Sequence, residues 1–231
     1  MKGNELVWRA LADRALDGQR TWRNVADLAY EAGVPSTTAY LALERLESNG
    51  TVDRYSRGGL AVVSIDKLLT MLCAWRNLER DTLTWTTREG IGPVLDSKLG
   101  PYALGGPDAA NAILNGRAVA DFSEHIVYLP ASVNLTDLPA GKEVRVLSMD
   151  KRAAKTWNGY SSLAQTYADL FATPGWQASE FRKALRDSFV RDREWDQATA
   201  VIFGGAGRTS PVRRSTVSDC SVVVFNSVLT T

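Results

Sequence analysis

Residues 34–64, "VPSTTAYLALERLESNGTVDRYSRGGLAVVS", set out a helix and a hairpin in close succession. The Ser-Thr-Thr run offers hydroxyls at a helix start, where unpaired amides need acceptors, and Ser36 is the expected cap. Ala39, Leu43 and Leu46 recur at helical spacing as a buried stripe, and Asn49-Gly50 supplies a stop. Residues 52–55 and 60–63 then read as short strands around Ser56-Arg57-Gly58-Gly59, a tip whose glycines tolerate positive φ. The stretch predicts an amphipathic helix over 36–48 with a β-hairpin behind it.

Upstream, Leu6, Val7, Ala10, Leu11 and Leu16 line one face of a helix over residues 4–17 that Gly18 ends. Thr21 is the expected N-cap of a second helix running to about residue 32, with Val25, Leu28 and Ala29 inward and Gly33 as its left-handed stop. Downstream, "IDKLLTMLCAWRNLER" predicts a helix over 65–80 with Leu68, Leu69, Leu72 and Trp75 on its apolar side. Residues 81–92 read as a strand and a connection, because "TLTW" alternates and Gly90 and Gly92 interrupt the pattern. The chain then alternates: "YALGG" before a small-residue helix, strands in "EHIVYLPASV" and "KEVRVLSM", helices in "SSLAQTYADLFAT" and "WQASEFRKALRDSF", and strand-like "ATAVIF" and "CSVVVFNSVL". The expected fold class is α+β, divided into a domain over 1–80 and a mixed α/β domain over 81–231.

With 45% hydrophobic residues the chain can bury a core, and a net charge of +1 leaves no global signature for nucleic acid or membrane, so a basic site must be local. Cys73 and Cys220 lie far apart, which predicts reduced, buried thiols in a cytoplasmic protein. A single histidine, His125, excludes multi-histidine metal centres, and no apolar run is long enough to span a bilayer. No metal or cofactor is expected, and His125 reads as structural.

"STTAYLALERLESNGTVDR" resembles the recognition-helix segment of bacterial winged helix-turn-helix transcriptional regulators. In these a Ser or Thr cap precedes a Thr-apolar-Tyr run, a Leu-x-x-Leu core pair and a Gly before the first wing strand. Ser36, Thr38, Ala39, Tyr40, Leu43, Leu46 and Gly50 take those places. The resemblance implies an N-terminal winged helix-turn-helix domain followed by the mixed α/β domain. It also implies a sequence-specific regulator of duplex DNA, with the third helix in the major groove and the hairpin on the backbone. With Ala39, Leu43 and Leu46 inward, Thr37, Tyr40, Leu41 and Glu44 share the outer face. The expected DNA contacts are Arg20, Thr21, Arg23, Ser36, Thr37, Thr38, Tyr40, Leu41, Arg45, Arg54, Ser56 and Arg57, with Leu41 suited to a thymine methyl. Glu44 stands where a cation is common in such regulators, and residues 1–80 are almost charge-balanced, which points to a dimer or to contacts from elsewhere. Arg182, Lys183, Arg186, Arg208, Arg213 and Arg214 are candidates for extra phosphate contacts, or else a solvated helix face.

The order of winged helix, "YALGG", "VYLP" and "SLAQTYADLFATPGWQASEFRKAL" is similar to the abortive-infection antitoxin regulators (AbiEi-like), with Ala164, Asp169, Leu170, Pro174 and Gly175 at comparable places. That likeness implies a repressor of its own operon with a toxin or other protein as partner. Gly105-Gly106 is similar to the start of nucleotidyltransferase-like domains, but Asp121 and Glu124 are three apart and cannot share a strand face, so a degenerate domain and no enzyme are expected. "GGAGRTS", residues 204–210, lacks the first Gly and the Lys of a phosphate loop. Trp157, Trp176 and Trp195 suit a core or a ligand pocket. The alternatives are a nucleotide-processing enzyme built on the second domain, and a ligand-sensing or protein-docking module.

Overall fold

The computed structural model describes residues 2–56, 58–96, 101–117 and 119–193, and it is a mixed α+β structure. Its first elements are α1 (Gly3–Leu16), β1 (Thr21–Trp22), α2 (Val25–Ala32), α3 (Ser36–Ser48), β2 (Val52–Arg54) and β3 (Leu60–Val62). The strands form an antiparallel sheet in the order β1-β3-β2, so Leu60 lies between Trp22 and Arg54. Two expected helix caps need correction. Thr21 is a strand residue, and the cap of α2 is Asn24, whose Oδ1 accepts the Asp27 amide at 2.8 Å. Ser36 is the first helical residue of α3; Pro35 precedes it, and no side chain caps this helix among the described residues. Gly33 does end α2 with φ +68, the left-handed stop that its missing Cβ allows.

The helix expected over 65–80 is two helices. Ser64 caps α4 (Ile65–Trp75), Arg76 is extended, and Asn77 caps α5 (Leu78–Asp81). The break lets the Arg76 guanidinium turn inward, where it binds Asp169, Asp81 and Tyr128. After β4 (Thr82–Thr86) comes α6 (Arg88–Asp96), where a connection was expected. Ile91 and Leu95, four apart and both buried, outweigh the low helix propensity of Gly90 and Gly92, about 1 kcal/mol each against alanine. Gly90 is also where Pro139 leaves no room for a Cβ.

The remaining elements are β5 (Ala103–Gly105), α7 (Gly106–Ile113), β6 (His125–Pro130), β7 (Val144–Met149), α8 (Ala153–Thr156), β8 (Gly159–Tyr160), α9 (Leu163–Ala172) and α10 (Trp176–Leu185), the last continued by a π turn over Arg186–Val190. Their sheet has the order β4-β7-β6-β5-β8, parallel at β7–β6 and β5–β8 and antiparallel elsewhere. Period-2 alternation along β6 sends Val127 and Leu129 toward Ile91 and Leu95 of α6, while Ile126 and Tyr128 face Leu78, Leu147 and Met149.

The sheet changes near residue 80, but the core does not. Val7, Leu11, Leu43, Leu68 and Leu72 share one buried cluster with Ala110, Ala164, Leu170, Phe181 and Leu185. A second link is polar. Asp169 Oδ1 accepts Arg76 Nε at 2.7 Å and Gln165 Nε2 at 2.9 Å, and Asp169 Oδ2 accepts the Tyr128 hydroxyl at 2.8 Å. Arg9 extends this network from α1, pairing with Asp150 at 2.8 Å. Among the described residues no helix is long and apolar enough to cross a membrane.

Candidate nucleic-acid interface

The apolar stripe of α3 decides what its other side presents. Ala39, Ala42, Leu43 and Leu46 have no exposed surface, and Trp8 Nε1 donates to the Ala42 carbonyl at 2.9 Å, pinning α3 to α1. Burying Leu43 and Leu46 contributes about 1.5–3 kcal/mol each and leaves no rotational freedom about the helix axis. The outer face is open as a result: Ser36, Thr37, Glu44 and Arg45 are exposed, Tyr40 is 47% exposed and Leu41 62%. Among the described residues no side chain covers Leu41 on this otherwise well-packed helix.

The hairpin continues this surface. The Arg54 guanidinium lies 5.7 Å from the Tyr40 ring centroid and pairs with Glu47 at 2.9 Å. That pair is partly exposed on both sides, so it contributes no more than about 1 kcal/mol and a phosphate can replace it. Tyr55 and Ser56 are exposed beside it, and Gly59 packs so close to the Trp22 and Arg23 carbonyls that Arg23 sits next to the hairpin tip. Thr37, Tyr40 and Leu41 share the exposed side of α3, and Arg54 meets it at Tyr40 with Ser56 next along the hairpin, whereas Arg23 lines a shallow pocket with Thr21, Asp27, Tyr30 and Arg152 beside α2. Tyr55 joins the hairpin residues although it carried no signal beyond its place at a strand end.

Other candidates lie elsewhere. Arg20 is buried at 8% exposure, where it can clamp no phosphate, because its chain enters the sheet between α1 and β1. Thr38 packs under the start of α1, against Gly3. Arg45 leans back over Trp75, 5.5 Å from the ring centroid. Thr21 is exposed on β1, paired with Ala61. Arg182, Lys183 and Arg186 are on α10 and its continuation, whose helical neighbours are α9 and α7. Arg182 stacks on Phe171 at 4.9 Å, and Arg186 pairs with Asp66 at 2.8 Å. Arg57, Arg208, Arg213, Arg214, Trp195, Cys220, the 204–210 loop and the two late strand-like runs lie outside the described residues.

The second sheet offers chemistry that is already committed. Gly105 and Gly106 abut Ile126, Tyr128 and Asp169, with less than 3 Å for any added Cβ against Tyr128 or Ile126, so close strand packing accounts for the glycine pair. Glu124 pairs with Arg145 at 2.9 Å. His125 Nδ1 bonds Asp108 Oδ2 at 2.8 Å in the interior, while its Nε2 and Asp108 Oδ1 have no partner among the described residues. Trp157 packs on Tyr128 and Arg9, whereas Trp176 is 66% exposed and lies outside the buried clusters of the described residues. Burial pushes the Cys73 thiol up to about 12, which makes it an inert core residue. No group of three His, Cys, Asp or Glu side chains among the described residues could hold a metal ion.

A cleft of about 560 Å³ separates α1 and the end of α2 from α8 and the start of α9, lined by Asp13, Arg14, Glu31, Arg152, Trp157 and Ser162. Its most perturbed group is Asp13, whose Oδ1 accepts the Ala164 amide at 3.2 Å at the first turn of α9. Burial raises the Asp13 carboxyl to about 6, against the opposing pull of Arg9 and of the bonds from Ser162 and Ala164. No protein-family model, curated protein or solved structure matches the chain.

Proposed function

We propose that this chain is a winged helix-turn-helix regulator that binds duplex DNA in a sequence-specific way, with α3 as the reading helix and the β2–β3 hairpin as the wing. The observation that carries the proposal is the open face of α3. Tyr40 and Leu41 are largely exposed on a helix whose opposite side is completely buried, and Arg54 and Tyr55 extend the same surface. Tyrosine and threonine hydroxyls can bond base edges or phosphates, leucine can contact a thymine methyl, and Glu44 can accept from a cytosine amino group. The uncapped amides at Ser36 and Thr37 favour an anion at the helix start.

Repression, an antitoxin role and dimerisation are extensions of this proposal. The near balance of charge on the first eighty residues predicts that a single copy binds weakly and that paired copies on repeated half-sites bind well. Fluorescence anisotropy with a labelled duplex from upstream of its own coding region provides the test. The combined variant Thr37→Ala, Tyr40→Ala and Arg54→Ala is expected to bind at least about tenfold more weakly, a loss of about 1.4 kcal/mol or more. Equal binding by wild type and variant would remove α3 as the reading element.

A further inference from the structure

The turn between α2 and α3 is gripped from the far side of the sequence by Arg152. The Arg152 Nε donates to the Glu31 carbonyl at 3.0 Å, satisfying one of the open carbonyls in the last turn of α2. The guanidinium covers the Tyr30 ring at 4.6 Å from its centroid. The side-chain stem passes so close to Gly33 that a Cβ there would lie 3.0 Å from Arg152 Cγ. Three features of the α2–α3 corner (a carbonyl, a ring and a glycine) are thus held by one side chain.

The base of that side chain is itself fixed. Asp150 Oδ1 accepts the backbone amides of Arg152 and Ala153, each at 3.0 Å, and Asp150 Oδ2 pairs with Arg9 of α1 at 2.8 Å. Burial works against the Asp150 charge, but the Arg9 guanidinium and the two amides hold its carboxyl below the usual carboxylate range. A closed chain of contacts therefore runs from α1 through Asp150 and Arg152 to the end of α2, and α3 begins three residues beyond Gly33.

We infer that Arg152 is a positioning residue for α3: it sets the angle at which the reading helix is presented, and it makes the DNA-reading unit depend on the sheet region for its geometry. This inference rests on the DNA-reading proposal above. Arg152 contributes through the corner and not through a phosphate, because its Nε, ring contact and stem are all engaged on α2 and Gly33. A positioning role predicts loss of sequence discrimination, whereas a phosphate contact would lower affinity for every duplex and flatten its salt dependence.

The test uses the full chain as wild type, Arg152→Ala and Arg152→Lys, with the upstream duplex and an unrelated duplex of the same length. Arg152→Ala is expected to speed amide exchange across residues 30–36 by about tenfold. It should also weaken the upstream duplex by about tenfold, with the unrelated duplex and the salt slope unchanged. Arg152→Lys keeps the stem on Gly33 and a cation over Tyr30, and should recover part of both losses. Unchanged exchange at 30–36, or an equal loss on both duplexes with a shallower salt slope, would overturn the assignment. If Arg152→Ala fails to fold, Arg152→Lys against Tyr30→Leu carries the same comparison. If wild type binds neither duplex, the DNA reading falls, and the exchange result alone decides whether Arg152 holds the corner.

Discussion

Around α3 every buried side chain is apolar: Ala39, Ala42, Leu43 and Leu46 face α1 and α2, and the opposite side meets solvent. Around α9 the buried side includes Gln165, Thr166 and Asp169 beside Ala164, Ala168 and Leu170, and Asp169 is wholly enclosed. The side chains of the first helix are held by non-directional packing, with one directional bond from Trp8 to the Ala42 backbone carbonyl, which leaves the outer polar and aromatic groups open to a partner. The second is also held by directional bonds that Asp169 makes to Arg76 and Tyr128 and that Gln165 makes to Tyr128, which spend its polar groups on fixing how the sheet meets α1 and α4. The comparison shows where function is to be sought. Polar groups that satisfy one another in the interior specify the fold, and those left open on a rigid helix are available for recognition.

Breaking the polar side should have the largest effect. Asp169→Ala leaves the Arg76 guanidinium enclosed with one anion fewer, and should cost about 3–5 kcal/mol in urea denaturation. Leu43→Ala tests the apolar side, with an expected loss of about 2–5 kcal/mol from lost transfer and the cavity left behind. If the second loss exceeded the first, the contrast between the two helices would be misdrawn.

Asp13 sharpens the contrast through pH. Its carboxyl is raised from the ordinary 3.8 to about 6, so the native state holds this proton more tightly than the unfolded chain. Wild-type stability contributed by this group therefore falls as pH rises from about 4 to about 6, and stays low above that. Asp13→Asn removes the titration while keeping an acceptor for the Ala164 amide. Its thermal midpoint relative to wild type should rise across that interval and level off above it. A relative midpoint independent of pH would show that the carboxyl is not held in the raised state. The smallest stability effect is expected at Leu41, where truncation to alanine should change unfolding free energy by less than about 0.5 kcal/mol, since little is buried there.

What could be read beforehand followed the physics of each region. The α3 stripe and the hairpin obey local periodicity and turn chemistry, so residues 36–48 and the two strands were legible to within a residue or two. The face carrying Tyr40 and Leu41 came with them, because fixing the buried stripe fixes its opposite. Helix α6 was not legible: Gly90, Gly92 and Pro93 contradict it locally, and only its packing on β6 and β7 makes it a helix. The break at Arg76 and the burial of Arg20 likewise depend on partners far along the chain. Arg152 gave no signal at all, since its role comes from contacts with residues about 120 positions earlier. Local patterns thus reveal the exposed surface of a helix, while the residues that aim the helix emerge only in three dimensions.

The most direct measurement is an amide-exchange footprint of the full chain with and without the upstream duplex. The account predicts added protection over residues 36–48 and along 52–56, with α9 unchanged. Protection confined to α9 and α10, or a duplex that binds while the exchange of α3 is untouched, would contradict it.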